Sequence, residues 1–183
     1  MKDKSTKSTN TRKTVTLGLL GAISIVLVMV AHFPLFPAVA FLEYDPADVP
    51  IMIASFAFGP ISGFLLTVVV SILQGITVSS ASGIVGIIMH IFSTGSYCLT
   101  AGIIYNRNKT KKSAVIALIL AAAVSVIVMC LWNLIVTPRY LGIPTAAIVE
   151  LMPWILLFNI IKSSVNSLIA YFVYKPVSNL IKR

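Results

Sequence analysis

The stretch Phe158-Asn159-Ile160-Ile161-Lys162-Ser163-Ser164-Val165-Asn166 sets a lysine, with an asparagine on either side, inside the otherwise apolar run of residues 151–175. Wound as a helix at about 100° per residue, Asn159, Lys162, Ser163 and Asn166 fall within an arc of roughly 100°, with Ile155 on the same side. A lysine turned toward lipid costs about 2.5–3.5 kcal/mol on insertion scales, so this stripe must face a bundle interior or a cavity. An ionisable group in that position marks a functional site by default. A purely structural reading, with the lysine paired to an acid and the asparagines bonding neighbouring helices, demands the same orientation. Among the acids, Glu43 in an outer loop is the expected protein partner.

The rest of the chain supports a membrane setting. Of 183 residues, 58% are apolar and 10% charged, against roughly 25% charged in an ordinary globular domain; mean hydropathy is +0.99. The net charge of +9 does not form a nucleic-acid-binding face. Apart from Arg139 and Lys162, every Lys and Arg lies in residues 2–13, 107–112 or 175–183, the pattern of membrane-flanking segments. Cys98 and Cys130 lack CxxC or His-partnered spacing and read as buried small hydrophobes. The apolar run from Val15 to Ala31 is longer than a signal-peptide core and reads as a retained span.

Six segments qualify as spans: about 14–31, 47–59, 61–78, 83–106, 112–137 and 151–175. The prolines are expected at or near the junctions between them. The second segment is short, reaching about 20 Å across a core of roughly 30 Å. Charge parity supports it, because the positive-inside bias puts the N-terminus, the basic loop 107–112 and the C-terminus on one side only if four crossings precede that loop. The fold expected is therefore an all-α, six-transmembrane-helix bundle in the cell membrane with both termini cytoplasmic. Residues 1–13 are expected to form a basic, disordered cytoplasmic tail, and residues 14–183 a single transmembrane domain.

No HExxH, GxSxG or phosphate-binding loop occurs, so the sequence gives no sign of an enzyme or of an ATPase in its own right. No metal site or cofactor is expected. His90 and Gln74 are lone polar residues that could meet a ligand or a neighbouring helix. His32, at the outer boundary, is expected to be solvated. Gly18 and Ala22 form a small-xxx-small pair that allows another helix close approach.

The outer stretch FLEYDPADVP at 41–50, with FAFGP at 56–60, NLIVTP at 133–138 and FNIIK at 158–162, resembles the substrate-binding S components of the energy-coupling factor (ECF) vitamin transporters, most of all their riboflavin-specific branch. That resemblance implies a lipid-embedded bundle that captures riboflavin from outside without enzymatic chemistry. Its import would be powered by a transmembrane coupling protein and two ABC-type ATPases. It also implies that the loop 32–47 covers a pocket lined by spans 4 to 6. Leu42, Glu43, Asn133, Asn159 and Lys162 match ligand-contacting positions, and the helical wheel adds Asn166. The family docks on its coupling protein through an AxxxA motif on the first helix, whose spacing Gly18 and Ala22 keep. The alternatives are an S component for another vitamin, or a membrane protein whose polar stripe is structural.

Overall fold

The computed structural model describes the backbone of residues 2–182 and the side chains of residues 11–80 and 82–177. In chain order the elements are helix α1 (Lys2–Val30); a two-stranded hairpin, β1 (Phe33–Pro34) and β2 (Glu43–Tyr44), enclosing a 3-10 turn (Pro37–Val39); α2 (Asp48–Phe58); α3 (Pro60–Ile76); a 3-10 turn (Ser80–Ser82); α4 (Gly83–Arg107); α5 (Lys111–Ile135); α6 (Thr137–Leu141); and α7 (Thr145–Lys182). Among the described residues, four stretches are long and apolar enough to cross a membrane: Thr11–Val30, Gly83–Arg107, Lys111–Ile135 and Thr145–Val177. α2 and α3 are shorter apolar helices.

Local chemistry explains the short pair. Gly59 takes φ 95° and donates its N–H to Ser55 O at 2.9 Å, which stops α2. Pro60 follows as the first residue of α3, where its missing N–H is not needed. From Asp48 to Phe56 every residue of α2 is buried, so this helix is core rather than lipid-facing wall. A Cβ on Gly63 would stand 2.6 Å from Ser55 Cβ, so glycine is what lets α3 press onto α2. Ser55 Oγ in turn donates to Cys98 O on α4 at 2.7 Å.

Two boundaries differ from the sequence reading. α1 is continuous from Lys2, so residue 13 is not a helix boundary; of residues 2–10 only the backbone is described. α7 begins at Thr145 and continues past Pro153 and Pro176, which therefore lie inside a helix rather than at junctions. Each proline removes one backbone donor, a loss that neighbouring groups or water near a helix end can absorb.

The main apolar core joins α1, α2, α3, α4, α5 and α7 around Ile51, Met52, Phe56, Val70, Cys98 and Ala117. A second, smaller cluster of Val39, Leu42, Ile148, Ile155 and Phe158 pins the outer loop to the first turns of α7. The outward faces of α1, α3, α5 and α7 carry exposed Leu, Ile, Val and Phe, as a bundle surrounded by hydrocarbon requires.

Candidate functional site

The loop between α1 and α2 is held in shape by its own pairing. β1 and β2 run antiparallel with Phe33 opposite Tyr44 and Pro34 opposite Glu43. Asp45 Oδ1 then accepts the N–H of Ala47 at 3.0 Å, a side-chain turn that aspartate makes readily. This turn drives the Asp45 carboxylate inward, where it is almost fully buried.

Inside, Asp45 Oδ2 accepts from Lys162 Nζ at 2.8 Å. Lys162 therefore pairs with Asp45, not with Glu43 as the sequence suggested. Glu43 is directed to the rim and lies 2.7 Å from His32 Nε2, so His32 is not simply solvated. Asn166 ties the next layer together, its Nδ2 donating to Asp45 O at 3.2 Å and to Asp48 Oδ2 at 3.0 Å. Its Oδ1 accepts from the Tyr44 hydroxyl at 3.1 Å. Burial, and then the neighbouring Asp45 carboxylate, raise the Tyr44 pKa above its ordinary value, keeping that phenol a donor.

Asp48, at the start of α2, accepts from Thr94 Oγ1 at 2.6 Å. His90 lies beside both, with Nε2 3.3 Å from Thr94 Oγ1 and 3.6 Å from Asp48 Oδ1, and with Nδ1 2.7 Å from Ser71 Oγ. Ser71 donates to Thr67 O at 2.7 Å. One polar chain thus runs from the outer loop through α7, α2 and α4 to α3. Such a network is stable at low dielectric only when its members are satisfied, and each of these buried carboxylates has at least two donors.

Asp45, Asp48 and His90 offer ligand atoms that all lie within 4.8 Å of one another. The residue types would suit a cation, but Lys162, Asn166 and Thr94 already supply the positive charge and hydrogen bonds those carboxylates need. We read the cluster as an ion-pair network.

Above the network lies a cavity of about 130 Å³. Leu42, Glu43, Asn159 and Lys162 line it, as do the previously ambiguous His90 and Gln74. Its walls come from the outer loop and from α3 to α7, so α3 contributes where only spans 4 to 6 were expected. Asn133 and Asn166 are not in the lining. Asn133 is fully buried, donating to Met129 O at 2.8 Å and accepting from Thr137 Oγ1 at 2.7 Å; Met129 and Thr137 stand in front of it at the wall. Asn159 commits one N–H to Ile155 O at 2.8 Å, leaving a second N–H and its carbonyl oxygen. Gln74 Oε1 is buried without a hydrogen-bond partner, an unusual cost that a ligand N–H or hydroxyl would relieve.

Sequence reading gave Asp45 no role although it quoted the stretch that contains it. The Asp-Pro-Ala-Asp spacing, with a turn-forming aspartate just before a helix start, was the available signal. Met129 and Tyr140 carried no signal at all, since each is an ordinary residue for a membrane helix or its end.

The first helix presents Gly18 and Ala22 outward, and a Cβ at Gly18 would meet nothing within 4 Å. Chemically, the cavity offers apolar walls with a few fixed donors and acceptors, which suits binding of a flat, partly polar molecule.

Comparison with known proteins agrees with this geometry. The model of the family described as ECF transporter, substrate-specific component, matches residues 12–177. A Staphylococcus aureus protein named riboflavin transporter RibU is 31% identical over 179 residues, covering 94% of this chain and 93% of that one. The Bacillus subtilis riboflavin transporter FmnP is 27% identical over 177 residues, covering 89% and 90%. A solved structure of the S component of a bacterial ECF transporter superimposes with a TM-score of 0.84 at 31% identity, covering 95% of this chain and 99% of that one.

Proposed function

The chain belongs to the substrate-specific components of ECF transporters, a family of transporter subunits and not of enzymes, and from that premise we propose that it is a riboflavin-capturing S component. The observation that carries this reading is the cavity under the outer loop, where Lys162, Asn159 and Glu43 share a wall with apolar side chains. Relatives named as riboflavin transporters support the choice of ligand.

The isoalloxazine ring is flat and largely apolar, with carbonyl and N–H edges, and the ribityl chain carries hydroxyls. Lys162 has three N–H donors; one is held by Asp45, and the others can reach ring carbonyls. The lysine thus serves the fold and the ligand together. Asn159 offers a donor and an acceptor, Gln74 Oε1 an acceptor for a ring N–H, and Glu43 an acceptor for ribityl hydroxyls. Asn133 and Asn166 act from behind the wall, by fixing Thr137 and the Asp45–Lys162 pair.

In this proposal the chain crosses the membrane six times with both termini cytoplasmic, α2 and α3 making the second and third crossings. The cavity then opens outward and the loop 107–110 lies inside, which the positive-inside bias supports. Transport would draw on a transmembrane coupling protein and two ABC-type ATPases, with the open face around Gly18 and Ala22 taking the coupling protein. No cofactor takes part.

A fluorescence titration of the purified chain tests the ligand. Trp154 packs on Phe36 of the outer loop with ring centroids 5.4 Å apart, so its emission should fall and saturate as riboflavin is added. Quenching by thiamin or biotin with no response to riboflavin would reassign the substrate.

A further inference from the structure

At the opposite end from the cavity, α5 and α7 part to leave two adjoining hollows. The first is a groove of about 780 Å³ running from Val115 to Ile127 on α5 and from Phe172 back to Ile160 on α7. Its wall is apolar apart from the hydroxyls of three serines and Tyr171, and Ile119, Ile127, Leu168 and Phe172 stand exposed along it. The thirteen-residue run on α5 spans about 18 Å, comparable with the roughly 15 Å hydrocarbon depth of one leaflet.

The second hollow, about 430 Å³, shares Tyr171 and Phe172 with the groove and continues it toward the end of α7. Its chemistry is different. Among the described residues, Lys109, Lys111 and Lys175 surround it and no acidic side chain lies in its wall. Its floor is the ring cluster of Phe56, Tyr105 and Tyr174, with centroids 4.4 to 5.5 Å apart. The N-terminus of α5 opens into it, with Thr110 accepting from Ser113 N at 3.1 Å; the other first-turn N–H groups add positive potential.

An apolar trough that ends in a cationic, aromatic-floored hollow has the polarity and length of one lipid molecule. We propose that an anionic phospholipid occupies this site, its phosphate among Lys109, Lys111 and Lys175 and one acyl chain along the α5–α7 groove. The site rests on the topology proposed above, which places it in the cytoplasmic leaflet, where long lysine stems can lie along the helices with their charges at the headgroups. A soluble phosphate would need only the cationic end, and an acidic protein partner would leave the groove unexplained.

The test uses the delipidated full chain in mild detergent, titrated with dioleoyl phosphatidylglycerol or dioleoyl phosphatidylcholine and read by native mass spectrometry. Phosphatidylglycerol should be retained at least about tenfold better than phosphatidylcholine. The combined change Lys109→Gln, Lys111→Gln and Lys175→Gln should abolish that preference, and Ala123→Phe, which fills the groove without altering charge, should reduce retention of both lipids. Equal retention by the native chain overturns the proposal, as does full competition by glycerol phosphate or an unchanged result in either variant. Loss of coupling-protein binding in the triple variant with lipid retention intact would reassign the hollow to a protein partner. Riboflavin quenching in both variants should match the native chain, which confirms that they fold. If riboflavin never binds while the lipid preference persists, the substrate reading alone has failed.

Discussion

Two acid–base contacts hold the loop 32–47, one reaching α7 and one within the loop itself, and they differ in kind. Lys162 and Asp45 meet at 2.8 Å with side chains 15% and 4% exposed, whereas His32 and Glu43 meet at 2.7 Å at the rim with exposures of 19% and 36%. The distances are nearly equal, so distance does not separate them. Burial does. Removing one member of a buried pair strands a charge at low dielectric, whereas a rim partner left alone is rehydrated. The deep pair is therefore a structural tie that also faces the cavity, and the rim pair is a contact whose loss should cost the fold little.

The sharpest way to break this contrast is Lys162→Met. It leaves Asp45 unpaired beside Asp48, and stability should fall by about 3–5 kcal/mol, read from chemical or thermal unfolding in detergent. Adding Asp45→Asn should recover part of that loss, because the stranded charge is then gone. A single variant within about 1 kcal/mol of the native chain would show that the pair is not a structural tie. Riboflavin affinity should fall in both variants, since both lose the ammonium.

Glu43→Gln tests the other half. Its effect on unfolding should stay below about 1 kcal/mol, as for an exposed pair. Riboflavin binding should weaken by about 1.5–3 kcal/mol, the range for a hydrogen bond to a charged group, seen as a ten- to hundredfold rise in Kd in the tryptophan titration. A large loss of stability with unchanged affinity would invert the assignment of the two pairs.

The same contrast explains what could be read before the structure was seen. Periodicity and charge placed the four long apolar helices among the described residues because a helix in lipid must announce its length and its flanks in the sequence. The inward stripe of Asn159, Lys162 and Asn166 was legible for the same reason, since lipid leaves a lysine only one direction to face. The partner was not. Glu43 and Asp45 are two residues apart in one loop, and which of them turns inward depends on the β1–β2 pairing and on the Asp45–Ala47 turn. Nor could a wheel for α7 reveal that Asn166 lies behind the wall and Asn159 at it, because depth from the cavity is set by the elements packed opposite.

Gln74→Leu addresses a residue with an unfilled acceptor. Without ligand the change should be neutral or stabilising, because a buried oxygen without a partner is removed. With riboflavin, binding should weaken by about 1–1.5 kcal/mol if the amide oxygen accepts a ring N–H. Unchanged affinity would place the ring edge elsewhere in the cavity.

The smallest effect concerns the outer end of the network. Tyr44→Phe deletes the bond to Asn166 Oδ1 and should cost about 0.5–1.5 kcal/mol, less than Lys162→Met because no buried ion is stranded. Its pH dependence carries more information than its size. The Tyr44 pKa is raised by burial, then by Asp45, so the phenol of the unfolded chain ionises first as pH climbs through about 10. The unfolded state then binds fewer protons than the folded one, and stability declines with rising pH until the folded pKa is passed. Unfolding measured from about pH 9 to 11 should show this decline in the native chain and a shallower one in Tyr44→Phe. Equal slopes would mean that Tyr44 ionises as freely in the fold as outside it, and that the loop's hold on Asn166 does not depend on that proton.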